Sequence, residues 1–314
     1  MECSNNIDCI DSGTENCPCY LAATGDCLIC SRLQGKEYCD CLWKGVCIYN
    51  EFIQNNQRVN NPRKEFSARI VSKKQYLEDL YVITLEVGRG FALKAAIPGS
   101  YVFLQAPDYI NYYQTPISIM QVDSERGFVT VLVKSISAKT KAICMQEDKL
   151  TVRGVYRGGI SGMPRITGRF SRILPDLKLL ILTKGVGFAP AMNLLHWAGK
   201  NTETEIIIDP DKICTQVIWD YLHPFAADKV HIQSLQECLD STLQDKITEG
   251  GYTVVAVLAS DYYIEEIRKI ISRLPVPPEF IHSNNANICC GEGVCGACSC
   301  VDSSGNVHKK CKCL

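Results

Sequence analysis

The sequence predicts an antiparallel β-barrel followed by a doubly wound parallel α/β sheet, with a cysteine-rich appendage at the N-terminus and a small cysteine module at the C-terminus. Three observations carry this. Short apolar runs separated by turn residues fill 67–165, and apolar runs alternating with helical stretches fill the chain from about 176. Of 19 cysteines, nine lie in the first 47 residues and seven lie from 289 onward.

The barrel strands read in order. "SARIVSKKQYLEDLYVITLEV" (67–87) holds two β-type runs around a polar turn, and "YVFLQA" and "GFVTVLVKSI" add further strands. In "IPGSYVFL", Pro98 and Gly99 make a turn that feeds one of them. Spaced strands with turn residues between them predict a small antiparallel barrel.

The pattern then changes period. "LKLLILT" is a continuous apolar run, and "KGVGFAPAMNLLHWAGK" begins with glycines and becomes helical. "TEIIIDPD" and "YTVVAVLAS" read as buried strands, followed by helices in "TQVIWDYLHPF" and "DYYIEEIRKIISRL", the last ending before Pro275. Strands alternating with helices predict a parallel sheet. The expected boundaries are 1–50 for the cysteine-rich segment, 51–66 for a polar Asn-rich linker, 67–170 for the barrel, 171–283 for the α/β domain and 284–314 for the C-terminal module.

Composition narrows the function. The 314 residues are 46% hydrophobic and 21% charged, as in a soluble globular protein. A formal net charge of −1 gives no electrostatic reason to expect nucleic acid or an anionic membrane as partner. No apolar run approaches the roughly 20 residues of a membrane helix. The polar, acidic start "MECSNNIDCIDSGTENC" does not read as a secretory signal, so the expected location is cytoplasmic. In a reducing compartment, clustered thiols point to metal or redox chemistry rather than disulfides. The isolated Cys144, Cys214 and Cys238 are expected to be buried apolar side chains.

The stretch "CCGEGVCGACSC" (289–300) is the most informative. Cys290, Cys295 and Cys298 have C-x4-C-x2-C spacing, and Cys311 follows at a distance, the ligand arrangement of a plant-type [2Fe–2S] centre. Gly291, Gly293 and Gly296 allow backbone amides to wrap sulfur without side-chain interference. "VDSSGNVHKKC" reads as a hairpin that turns near Gly305 and returns Cys311, with His308 as a solvated hairpin residue. Structural zinc is the alternative ion, and Cys313 the alternative fourth ligand.

The N-terminal thiols Cys17, Cys19, Cys27, Cys30, Cys39, Cys41 and Cys47 form one C-x2-C and two C-x-C pairs. They suffice for one further iron–sulfur cluster or for a zinc that folds the appendage. Trp43 and Tyr49 are expected to cover that site.

Barrel, sheet and thiol–glycine loop, in that order, resemble the electron-transfer subunit of dihydroorotate dehydrogenase and, more broadly, the ferredoxin–NADP reductase superfamily. The resemblance covers about 67–314 and is most specific in "CGEGVCGAC". It implies an FAD-binding barrel, with "QTPISI" placing Thr115, Pro116, Ile117 and Ser118 at the flavin. Thr115 stands where the family carries Arg, and Arg153 or Arg157 is a candidate replacement charge. It implies a nicotinamide-binding sheet, with "GVGFAP" placing Gly185, Gly187, Ala189 and Pro190 at the nucleotide turn, although a plain βα connection would use similar residues. "LASDYY" stands where the family has a Cys-Gly-Pro turn. Asp209 either accepts hydrogen bonds from ribose hydroxyls, which would favour NADH over NADPH, or opens a turn.

The implied function is electron transfer from NAD(P)H through FAD and a [2Fe–2S] cluster to a partner redox protein, as part of a hetero-oligomer. A flavin joins two-electron hydride chemistry to one-electron transfer. No acid–base pair or activated nucleophile stands out, so substrate chemistry is expected to belong to the partner. The other reading is a non-catalytic iron–sulfur or zinc-binding protein on a reductase scaffold that no longer holds nucleotides.

Overall fold

The computed structural model describes residues 9–107, 114–163, 166, 177–199, 202–223, 229–303 and 305–313. The chain divides into two compact units, one of Met1–Glu65, Tyr112–Pro116 and Ala286–Leu314, the other of Phe66–Asn111 and Ile117–Asn285. No helix among the described residues is long and apolar enough to cross a membrane.

In the first unit, helix α1 (Tyr20–Thr24) ends on Gly25, whose φ of 79° is a left-handed stop. A 3₁₀ turn (Ser31–Gln34) and helix α2 (Ile48–Gln54) follow. Leu33, Ile48, Phe52, Ala22, Cys17 and Cys30 make a small core, flanked by Trp43 and Tyr49. So few large side chains bury little area, which leaves this unit in need of cross-links.

The second unit begins with the barrel. Strands β1 (Glu65–Leu77), β2 (Leu80–Glu86), β3 (Tyr101–Gln105), β4 (Thr115–Asp123), β5 (Phe128–Lys134) and β6 (Lys149–Tyr156) close in the order β1-β2-β5-β4-β3-β6. Inward side chains such as Val102, Leu104, Ile119, Val131 and Val152 fill the interior. Helix α3 (Arg89–Ala95) follows β2. Helix α4 (Ala138–Cys144) starts in a capping box in which Ser137 Oγ accepts from Thr140 N and Thr140 Oγ1 accepts from Ser137 N.

A mixed sheet completes that unit. Strand β7 (Ile160–Ser161) lies antiparallel on its edge, while β8 (Lys178–Lys184), β9 (Glu203–Asp209), β10 (Val230–Ile232), β11 (Val254–Leu258) and β12 (Glu279–Ser283) are parallel. The order β10-β9-β8-β11-β12-β7 puts a topological switch point between β8 and β11. Helices α5 (Phe188–Ala198), α6 (Thr215–Leu222), α7 (Leu235–Ser241), α8 (Leu243–Gly250) and α9 (Asp261–Ile271) complete the α/β part. The fully buried β8 and β11 explain the uninterrupted apolar runs in the sequence.

The last two strands, β13 (Ser299–Val301) and β14 (Val307–Lys309), form the expected hairpin, with Gly305 at φ 84°. His308 departs from expectation. It is buried against Asp302 at 2.8 Å, a neighbour six residues back across the turn that sequence spacing did not single out.

The segment read as a linker (51–66) is not a free connector. Helix α2 occupies its start and buries Phe52, and the Asn60 side chain donates to Cys17 O. Arg63 pairs with Asp11 and Glu292. The two cysteine-rich ends share one unit: Cys9 and Cys313 form an antiparallel bridge, and Ile10 N donates to Lys312 O at 2.7 Å.

Candidate functional site

The C-terminal module brings the thiols singled out for the cluster together in pairs, Cys290 with Cys295 and Cys298 with Cys311, and no group of three or more His, Cys, Asp or Glu that could hold one ion forms among the described residues. Gly291, Gly293 and Gly296 have φ of 72°, 79° and 76°, a backbone that side-chain-bearing residues rarely adopt. A Cβ on Gly293 would lie 3.0 Å from Leu21 of α1, so this loop also rests closely on the N-terminal segment. Backbone amides already point at sulfur: Glu292 N donates to Cys290 Sγ at 3.3 Å and Cys311 N to Cys298 Sγ at 3.4 Å.

The thiols also reach one another. Burial opposes the Cys295 thiolate, but hydrogen bonds from the Ala297 amide and with Cys290 hold its pKa below the ordinary thiol range. A hydrogen bond with Cys311 brings Cys298 down to about 6, while sharing that proton and burial push Cys311 up. Cys290 and Cys311 act on each other electrostatically, which closes the set.

Four charged side chains of the same unit make a buried network behind this loop. Lys312 Nζ lies 2.5 Å from Asp11 Oδ2 and 3.0 Å from Glu292 Oε2, and Arg63 binds the same two carboxylates at 2.8 and 3.4 Å. Two positive and two negative groups balance, the condition under which burial of charge is tolerated.

The N-terminal thiols divide into groups. Cys17, Cys19 and Cys27 line one small cavity, together with Cys9. Cys30 is buried beside them, its amide donating to Cys27 Sγ at 3.4 Å. Cys39 and Cys41 pair with each other at 3.7 Å, and Cys47 is exposed at the start of α2. Spacing gave no signal for Cys9, because the bridge to Cys313 places it. Burial pushes Cys9 up, and lifts Cys17 to about 12. Trp43 and Tyr49 pack on this core, as expected. Of the isolated thiols, Cys144 and Cys238 are buried and Cys214 is partly exposed.

At the switch point, β8 leads into a 3₁₀ turn (Gly185–Gly187) and then α5 with Ala189 and Pro190 in its first turn. Gly187 is forced by packing: a Cβ there would fall 1.9 Å from Leu258 O at the end of β11. The start of α5 has Gly187 as its N-cap and no side-chain cap hydrogen bond. Asp209 is committed to the protein. It accepts from Lys184 Nζ at 2.6 Å, Leu235 N at 3.0 Å and Asp211 N at 3.1 Å. Burial works against the Lys184 charge, but Asp209 and Asp211 outweigh it and raise its pKa.

On the barrel, Thr115, Pro116, Ile117 and Ser118 form the first half of β4. Thr115 Oγ1 is buried with no partner, and so is Ser100 Oγ just ahead of β3. Buried hydroxyls without partners are uncommon and fit positions that a polar ligand completes. The Arg153 guanidinium stacks 4.6 Å from the Phe103 ring and hydrogen-bonds Tyr156. Arg157 lies after β6, and no contact with the described residues defines a role for it.

These features coincide with a known architecture. No protein-family model and no curated protein matches the sequence. Among solved structures, the ferredoxin–NADP⁺ reductase of Neisseria gonorrhoeae with bound FAD and NADP is 12% identical, covering 71% of this chain and 99% of its own, at a TM-score of 0.52. The fold is that of ferredoxin reductases. A NADH-dependent reduced ferredoxin–NADP oxidoreductase, described for flavin-based electron bifurcation, is 18% identical over 78% of this chain and 85% of its own, with a TM-score of 0.54. Phthalate dioxygenase reductase, a modular protein for electron transfer from pyridine nucleotides to [2Fe–2S], is 14% identical over 78% and 75%, with a TM-score of 0.50.

Proposed function

We propose that this chain passes electrons from NAD(P)H, through FAD and a [2Fe–2S] cluster, to a partner redox protein. The observation that carries the reading is the glycine-wrapped set of Cys290, Cys295, Cys298 and Cys311 on a chain with a ferredoxin-reductase fold. What favours Cys311 over Cys313 as fourth ligand is its thiol hydrogen bond to Cys298.

Iron rather than zinc is favoured by the ligand spacing in the sequence. Cys290, Cys295 and Cys298 follow the C-x4-C-x2-C pattern of a [2Fe–2S] centre with a distant fourth thiol. A structural zinc site more often pairs two C-x2-C knuckles, and this stretch holds one.

The remaining roles fall to the chain's own groups. Thr115 and Ser100 each offer a buried hydroxyl to the flavin, and the β4 backbone at Ile117–Ser118 lines the ring. Gly185, Gly187, Ala189 and Pro190 bring the start of α5 to the nucleotide phosphates. Asp209 organises that turn through Lys184 and two amides, so discrimination of the 2′-phosphate is not assigned to it. When bound, the flavin exchanges two-electron hydride chemistry for one-electron transfer. The finer assignment of the acceptor, a catalytic subunit like that of dihydroorotate dehydrogenase, rests on the resemblance of "CGEGVCGAC" and the domain order. Anaerobic protein titrated with NADH should lose its flavin absorbance as electrons enter. Protein that retains iron and sulfide but carries no flavin would overturn the reading.

A further inference from the structure

We infer that the N-terminal segment holds a second iron–sulfur cluster, ligated by Cys9, Cys17, Cys19 and Cys27, within the same unit as the C-terminal cysteine loop. The four thiols come from 19 residues of chain, yet they line one cavity, walled on its apolar side by Leu21 and Ile48.

Three further features mark this cavity as a ligand site rather than a packing fault. Among the described residues its only charged lining residue is Asp11, which is neutralised by Lys312 and Arg63. Cys27 Sγ already receives a hydrogen bond from the Cys30 amide at 3.4 Å, the backbone arrangement that supports a metal-bound sulfur. Asn60 fixes the Cys17–Pro18 backbone from 43 residues away, donating from its side chain to Cys17 O and from its amide to Pro18 O.

Four thiolates are the donor set of an iron–sulfur cluster, and a single zinc is the competing occupant that metal analysis distinguishes. Lys312 supplies the link to the C-terminal set. Its buried ammonium acts electrostatically on Cys9 and Cys19 and is the residue after Cys311. Leu21 both lines the cavity and carries the Gly293 turn. Two clusters separated by such a thin wall would extend the electron route within one unit.

The inference does not depend on flavin or nucleotide binding, and its test separates it from the C-terminal assignment. The full-length chain, enriched in ⁵⁷Fe and purified anaerobically, is analysed for iron, zinc and labile sulfide and by Mössbauer spectroscopy. Two distinct iron populations and more than two irons per chain are expected. The Cys17→Ser/Cys19→Ser variant should lose one population and keep the other, Cys290→Ser/Cys295→Ser should do the reverse, and Cys39→Ser/Cys41→Ser should keep both. The wild-type spectrum gives the answer even where a variant fails to fold. A single population of two irons per chain, or one equivalent of zinc that Cys17→Ser/Cys19→Ser removes, would overturn the inference.

Discussion

Lys312 Nζ sits 2.5 Å from Asp11 Oδ2, and both side chains are almost completely buried although they lie 301 residues apart in sequence. This contact fastens the two ends of the chain into one unit. Breaking a buried pair by removing one partner leaves an uncompensated charge and costs about 3–5 kcal/mol. Lys312→Met should therefore destabilise the cysteine-rich unit selectively. Hydrogen exchange should show faster opening in 9–63 and 286–313, with the barrel strands unchanged.

Gly187 gives a second prediction. Its added Cβ would meet Leu258 O at 1.9 Å, and backbone atoms of β11 cannot swing away as a flexible side chain could. Gly187→Ala should cost about 1–3 kcal/mol in urea unfolding, the usual range for overpacking. It should also slow reduction by NADH more than it slows reduction by dithionite, since only the former uses the turn.

Thr115 separates ligand binding from folding. Its hydroxyl is buried without a partner, a state that is unfavourable unless something completes it. Thr115→Val should leave the flavin-free protein as stable or up to about 1 kcal/mol more stable, while weakening FAD retention on dialysis. Unchanged FAD retention would remove Thr115 from the flavin site.

Acid should act through Asp220. Hydrogen bonds from Lys74, Tyr76 and Gln216, the Lys74 bond first among them, hold its pKa at about 2. A carboxyl depressed in the folded state adds stability above its ordinary range and loses it as pH falls through the folded value. Asp220→Asn should thus lower the melting temperature at pH 7, and the gap to wild type should narrow between pH 4 and pH 2.

Much of this was legible in sequence, and the reasons are physical. The central residues of "LKLLILT" and "YTVVAVLAS" form continuous apolar runs because β8 and β11 are buried on both faces. The thiol–glycine loop was legible because its ligand spacing and its three positive-φ glycines are both local. Arrangements made by distant residues were not. Cys9 is eight residues from the next cysteine, and its bridge to Cys313 and its interaction with Lys312 reach the opposite end of the sequence. Asn60 and Arg63 read as linker residues because their partners, Cys17, Asp11 and Glu292, are 43 to 229 positions away. His308 looked solvated for the same reason, since Asp302 meets it only once the hairpin forms.

The central claim is that electrons leave through iron held by Cys290, Cys295, Cys298 and Cys311. Paramagnetic resonance on anaerobic protein reduced with NADH tests it most directly, with wild type and Cys295→Ser compared side by side. A reduced [2Fe–2S] signal in wild type that vanishes in Cys295→Ser, with flavin still bound and bleached in both, is the predicted result. The same signal at full strength in Cys295→Ser, or wild type holding zinc with neither iron nor labile sulfide at these thiols, would contradict it.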